Sequence, residues 1–148
     1  GIWFYGFSGS GKTYASQVIK GLVKNNFVID GDSVRKLVSK DLGYTLDDRH
    51  IQLNRVIGLA EIAISNNLFP IVSTVTMNEK TLTHCQKLEI DVVEIIRPLE
   101  QLISVRSIYN EQKNVVGKDI HQVPLETHKI ENDGTVTFAN RVKFHVSK

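Results

Sequence analysis

The stretch Gly6-Phe7-Ser8-Gly9-Ser10-Gly11-Lys12-Thr13 constrains this chain more than any other. It fits the pattern G-x-x-x-x-G-K-[ST] in full. The strand-like run GIWFYGF leads in, and helical spacing at Ala15, Val18, Ile19, Leu22 and Val23 leads out. In that setting Gly6, Ser8, Gly9, Ser10 and Gly11 let successive backbone N–H groups turn toward one anion, and the helix N-terminus adds partial positive charge. Lys12 is expected to reach the β- and γ-phosphates of ATP, and the Thr13 hydroxyl to ligate Mg2+. A Gly/Ser-rich turn without a ligand is the plainer alternative, but it requires neither flank.

The rest of the chain alternates strands and helices. NNFVIDGD predicts a strand, SVRKLVSKDLG a short helix stopped near Gly43, and TLDDRHIQLNRVIGLAEIAISNN a long helix capped by Thr45 or Asp47. LFPIVSTVT and EIDVVEIIR read as strands around a helical EKTLTHCQKL. PLEQLISVRSIYNEQ opens a helix on proline, where the missing N–H costs nothing. A loop is expected from Lys113 to about Leu125, then two short strands about the Asp133-Gly134 turn. This order implies a three-layer α/β P-loop fold of the nucleoside-triphosphate hydrolase type, with a parallel sheet flanked by helices.

At 148 residues, the sequence fits one domain over residues 1–148. Its formal net charge of +2 does not suggest a nucleic-acid-coating protein, and no apolar run is long enough to span a membrane. Cys85 is the single cysteine, so no internal disulfide forms and a reducing, cytoplasmic home is expected. The strand at Gly1 to Tyr5 starts so abruptly that we expect residues upstream in the whole protein, and a cleaved targeting peptide stays open. The five histidines and Cys85 show no metal-ligand spacing and read as surface or packing residues.

The loop alone does not separate nucleotide hydrolases, switch proteins and small-molecule kinases. No N-K-x-D base-reading motif occurs, and FPIVSTVT ends in hydroxyls instead of paired acids. VIDGDSVR places Asp30 and Asp32 at the carboxyl end of a strand, where open parallel sheets put their sites. One acid can accept a proton from an acceptor hydroxyl while the other holds Mg2+-bound water or a second hydroxyl. Asp32 also suits a helix N-cap, and Arg35 would face back toward both acids one turn later.

GFSGSGKT followed by DGDSVRKLVSKDLGYTLDDRHIQLNR resembles the adenylyl-sulfate kinase family, and EIIRPLEQL, VVGKDIHQVPLE and KIENDG extend the resemblance more loosely. The resemblance implies transfer of the γ-phosphate of MgATP to the 3′-hydroxyl of a 5′-modified nucleotide such as adenylyl sulfate, and a homodimer. It places Asp30 beside the acceptor hydroxyl, Arg35 and Arg49 on the acceptor's phosphate and sulfate, and Gln52 where the family often has an acceptor-contacting asparagine. Arg55 looks like the family's arginine later in that helix.

The family's Phe-Ile-Ser-Pro, whose ring stacks on the acceptor base, is replaced by Thr74-Val75-Thr76-Met77, so Thr74, Val75 and Thr76 are expected to border an altered base pocket. R-D-x-K-G-L-Y is reduced to Val105-Arg106-Ser107-Ile108-Tyr109, with Arg106 expected to stabilise transferred charge. Lys113, Lys118 and His121 lie in the expected lid, where the family's P-Y-E is also altered. A cytidine diphosphoramidate kinase of bacterial capsule modification, a P-loop hydrolase and a non-catalytic nucleotide-binding module stay open as alternatives.

Overall fold

The computed structural model describes residues 1–98, 122–134 and 137–146. Five parallel strands form one sheet: β1 (Ile2–Tyr5), β2 (Asn26–Asp30), β3 (Phe69–Thr74), β4 (Asp91–Ile96) and β5 (His128–Glu131). Their spatial order is β2-β3-β1-β4-β5. The helices are α1 (Lys12–Leu22), α2 (Gly31–Leu37), α3 (Leu46–Ser65), α4 (Glu79–Lys87) and α5 (Thr137–Val146). These elements form the three-layer α/β P-loop architecture expected from the alternation of strands and helices.

The period-two alternation of β1 explains the layering. Trp3 and Tyr5 join Ile29, Leu53, Val56 and Val72 in a core beneath α2, α3 and α4. Ile2 and Phe4 point the other way, into a core with Ala15 and Ile19 of α1 and Phe138 and Val142 of α5. Both faces of β1 are therefore buried, as its uninterrupted apolar run requires. Removing a fully buried side chain, such as Val72 from the first core or Ile19 from the second, would forfeit about 1.5–3 kcal/mol of burial.

The strand order fixes where a ligand can enter. From β1 the chain crosses to β2 on one side, whereas β4 lies on the other side of β1. The crevice outside the carboxyl ends of β1 and β3 is thus a topological switch point. The phosphate loop leaves β1 there, and Gly6 N–H donates to Thr74 O across it at 3.3 Å.

Three element expectations need correction. The helix after β2 begins at Gly31 and ends at Leu37, with Asp30 in the N-cap position, so Asp32 is its second residue and not its cap. Beyond Val38 the chain turns, with Ser39 N–H on Val34 O, and brings Gly43 and Tyr44 back beside Arg35. Of the two expected terminal strands β5 forms, whereas residues 137–146 are helical. TVTF suggests alternation, but Phe138 and Val142 are four apart and bury one helical face of α5 against the sheet. Elsewhere Thr45 caps α3 by accepting from Asp48 N–H, and Asn66 and Asn67 end it, Asn67 at φ 59°. The expected helix after Pro98 and most of the expected lid lie outside the described residues, as do Arg106, Lys113, Lys118 and His121.

Candidate active site

The phosphate loop is tightly seated. Gly11, the N-cap of α1, has φ 113°, and a Cβ there would sit 2.6 Å from the Asn132 amide nitrogen. Gly6 is closer still, since a Cβ would overlap Ile95 O and lie 2.9 Å from Ser10 Oγ. A side chain at either position would displace the loop. Two residues beyond the motif brace it. Asn132 Nδ2 donates to Ser10 O at 2.7 Å while its Oδ1 accepts from Gly134 N–H, and Arg97 Nη1 donates to Gly9 O at 3.2 Å.

Asn132→Ala is expected to cost about 1–3 kcal/mol, because the buried Ser10 carbonyl loses this partner. Thermal unfolding checks the loss of stability, and a rise in ATP KM checks the accompanying loosening of the loop. Unchanged values of both would remove Asn132 from this role.

The loop opens into a cavity of about 680 Å3, a size suited to small ligands. Ser8, Gly9, Gly11, Lys12 and Thr13 line its phosphate end, with Gly6 and Ser10 buried beneath them. Lys12 Nζ donates to Gly6 O at 2.6 Å and Phe7 O at 3.1 Å, so its ammonium lies over the loop. Ser10 Oγ is buried without a hydrogen-bond partner. A left-handed glycine, a helix N-terminus and an ammonium in one concavity fit the polyphosphate of ATP, and exposed Thr13 at the start of α1 fits a Mg2+ ligand.

Asp30 ends β2 on the cavity wall. Its two oxygens accept from Ser73 Oγ and Ser33 Oγ, each at 3.3 Å. Exposed Asp32 lines the same wall. Ser73 was missed by the sequence reading, although a hydroxyl near the end of β3 was visible in STVT.

The far end of the cavity is cationic. Arg35 lies 4.5 Å and Arg49 5.4 Å from the centroid of the Tyr44 ring, measured from each guanidinium carbon. Arg35 Nη1 donates to Gly43 O at 2.6 Å, and Arg49 Nε to Tyr44 O at 3.0 Å. Arg49 is buried, and burial followed by the nearby Arg35 charge lowers its pKa. Both causes disfavour its charge, and an anion between the two guanidiniums would offset them. Gln52 Nε2 donates to Gly31 O at 3.1 Å, while its buried Oε1 has no hydrogen-bond partner.

Tyr44 is half exposed, lines the cavity and was also missed. The available signal was an aromatic residue directly after Gly43, in the turn between two cation-bearing helices.

Thr74, Val75 and Thr76 line the cavity. Thr74 is also tied into the core: its Oγ1 accepts from Trp3 Nε1 and donates to Thr76 O, both at 2.8 Å. Arg55 is placed elsewhere, in a two-point pair with Asp41 at 2.7 and 2.9 Å on the surface. That pair holds the Asp41 carboxyl down at about 2. The side chain of Gln122, where the chain becomes described again, clasps the Met77 backbone beside Thr76.

The profile of the adenylylsulphate kinase family matches residues 1–116. The chain belongs to the adenylyl-sulfate kinase family. A probable adenylyl-sulfate kinase of Pseudomonas aeruginosa is 29% identical over 125 residues, which is 79% of this chain and 58% of that protein. The adenylyl-sulfate kinase of Shewanella halifaxensis is 42% identical over 71 residues, or 45% of this chain and 35% of that one. The chain thus spans little more than half, or less, of these relatives. The fold matches that of the Mycobacterium tuberculosis APS kinase CysC, whose structure is in complex with AMPPNP and APS, at a TM-score of 0.84 and 20% identity, covering 99% of this chain and 94% of the other. Among the described residues no helix is long and apolar enough to cross a membrane.

Proposed function

We propose that this family member transfers the γ-phosphate of MgATP to the 3′-hydroxyl of a small nucleotide carrying an anionic group on its 5′ side. One observation carries the reading: the phosphate loop, the Asp30 carboxylate and the Arg35–Arg49 pair all face one cavity. Neither water as acceptor nor nucleotide binding alone calls for a paired guanidinium site in the same cavity as the loop. The relatives are named as adenylyl-sulfate kinases, which supports a phosphotransferase reading.

ATP supplies the phosphoryl group, and Mg2+ supplies charge neutralisation and a template for its oxygens. The chain's own residues do the positioning. Lys12 shifts from the loop carbonyls to the β/γ-phosphate oxygens. Thr13 contributes a metal-ligating hydroxyl. Arg35 and Arg49 grip the acceptor's anionic end, and the free Oε1 of Gln52 accepts from an acceptor hydroxyl or amine. Asp30 takes the proton of the 3′-hydroxyl as it attacks, with its oxygens oriented by Ser73 and Ser33. Asp32 would help hold the water shell of Mg2+ were the ion bound, and Arg106 is assigned the stabilisation of charge on the transferred group.

The base pocket lacks an aromatic residue at positions 74–76, and among the described residues the cavity's aromatic surface is Tyr44 together with Tyr14. Tyr44→Ala removes the ring shared by both arginines. A cation–π contact is worth about 0.5–2 kcal/mol, so acceptor kcat/KM is expected to fall about tenfold with ATP KM little changed. An unchanged acceptor KM would contradict this placement. The pocket's composition also predicts that adenine is not strongly preferred over cytosine, since a lost base–aromatic stack costs about 1–3 kcal/mol. The reading is tested by comparing kcat/KM for adenylyl sulfate with that for a cytidine nucleotide bearing a 5′-diphosphoramidate, each with its 3′-deoxy counterpart as control. Phosphorylation of either 3′-deoxy compound would show that the 3′-hydroxyl is not the acceptor.

A further inference from the structure

The amino ends of β4 and β5 meet the carboxyl end of α5 at the edge of the sheet opposite the cavity. Asp91 opens β4, His128 opens β5 and His145 is the penultimate residue of α5. One Asp91 oxygen lies 3.0 Å from His128 Nδ1, and the other 2.6 Å from His145 Nε2. The imidazole rings meet edge to face with centroids 4.8 Å apart. One potential ligand atom from each of the three residues lies within 4.8 Å of the other two. The histidines stand 37 and 54 positions beyond Asp91, so no linear spacing revealed the group; parallel pairing of β4 with β5 and the packing of α5 assemble it.

We propose that Asp91, His128 and His145 form a binding site for a divalent transition ion of the Zn2+ class. Two imidazole nitrogens and a carboxylate oxygen are a donor set that Zn2+ accepts, with water completing a tetrahedron. Bonds of about 2.1 Å place tetrahedral ligand atoms about 3.4 Å apart, so the 3.0 and 2.6 Å nitrogen–oxygen contacts open slightly, while separations of at most 4.8 Å close. The side chains divide that task. His145 is only 12% exposed and offers a fixed nitrogen, whereas His128 is 68% exposed and free to rotate. Asp91 and His128 also border a second hollow with Gln86 and Glu126, which leaves a path for the ion and its water.

Mg2+ prefers an all-oxygen shell, so the metal expected at the phosphate loop is a poor competitor here. Cys85 does not compete either, since burial raises its thiol to about 12 and keeps it protonated. A bound ion would replace two hydrogen bonds with bonds tying α5 to β4 and β5. Because α5 packs on α1 and β5, the expected effect is on stability.

The test uses the untagged chain, treated with chelator and free of nucleotide. Zn2+ is titrated by calorimetry and its effect on thermal unfolding recorded. One ion per chain is expected, with the midpoint raised by about 5–10 °C at about a hundredfold excess over Kd. His128→Ala and His145→Ala should each weaken binding at least about tenfold, whereas His84→Ala on α4 should not. His128 is mostly exposed, so its variant decides the matter if His145→Ala fails to fold. No uptake by the wild type, or equal uptake by His128→Ala, would leave only a hydrogen-bonded clasp and overturn the site.

Discussion

Replacing Lys12 with alanine is expected to lower phosphoryl transfer at saturating nucleotide by about a hundredfold or more, with the fold intact. In the structure the Lys12 ammonium is held only 2.6 and 3.1 Å from the Gly6 and Phe7 carbonyls. It is therefore poised over the phosphate end of the cavity before any ligand arrives. The loop keeps the Gly6–Thr74, Asn132–Ser10 and Arg97–Gly9 hydrogen bonds when the side chain is removed, so the fold survives. What is lost is a charge placed where the transferred group becomes most negative. One electrostatic contact of this kind is worth about 10²–10³ in rate. Turnover of the variant with MgATP and acceptor, beside a thermal unfolding curve, measures both halves of the expectation. Near-normal turnover in a folded Lys12→Ala protein would exclude the phosphate-loop mechanism.

Asp30→Asn is expected to have an effect of similar size by a different route. Asparagine keeps the shape: of the Ser73 and Ser33 hydroxyls now bonded to the two carboxylate oxygens, one can keep donating to the amide oxygen while the other turns to accept from the NH2. The strand end and the N-cap of α2 are thus retained. The negative charge and the basicity are not. General-base contributions run about 10²–10⁴, so transfer should fall by about two orders of magnitude while ATP affinity persists. The result that would contradict the role is loss of nucleotide binding with an unchanged rate at saturating ATP.

Much of this site was legible in the chain because each signal was local. The phosphate loop, the acids at the end of β2 and the arginine-bearing helices all lie within the first 55 residues, each beside its own strand end or helix start. What escaped depends on distance in the sequence. Asn132 braces Ser10 across 122 positions, and nothing near either residue announces it. Tyr44 becomes part of the site only because α2 stops at Leu37 and the chain turns back, where the sequence suggested a helix running on to Gly43.

The Trp3–Thr74 bond changes how one substitution should be read. A ring placed at position 74 to restore base stacking would also strip a buried indole N–H of its acceptor, at about 1–3 kcal/mol. Thr74→Phe is for that reason a poor probe of the base pocket. The terminal helix escaped for another reason. The alternation in TVTF is too short to outweigh the burial of Phe138 and Val142 on one helical face.

The central claim is that phosphate passes from ATP to the 3′-hydroxyl of a 5′-anionic nucleotide held by Arg35 and Arg49. The most direct measurement follows γ-labelled ATP with adenylyl sulfate or the cytidine nucleotide bearing a 5′-diphosphoramidate, and locates the label in the product by phosphorus NMR. The account predicts label on the 3′-oxygen of at least one acceptor, none on its 3′-deoxy counterpart, and little release of inorganic phosphate without acceptor. Rapid release of labelled inorganic phosphate that no acceptor alters would contradict it, because water would then be taking the place assigned to the nucleotide.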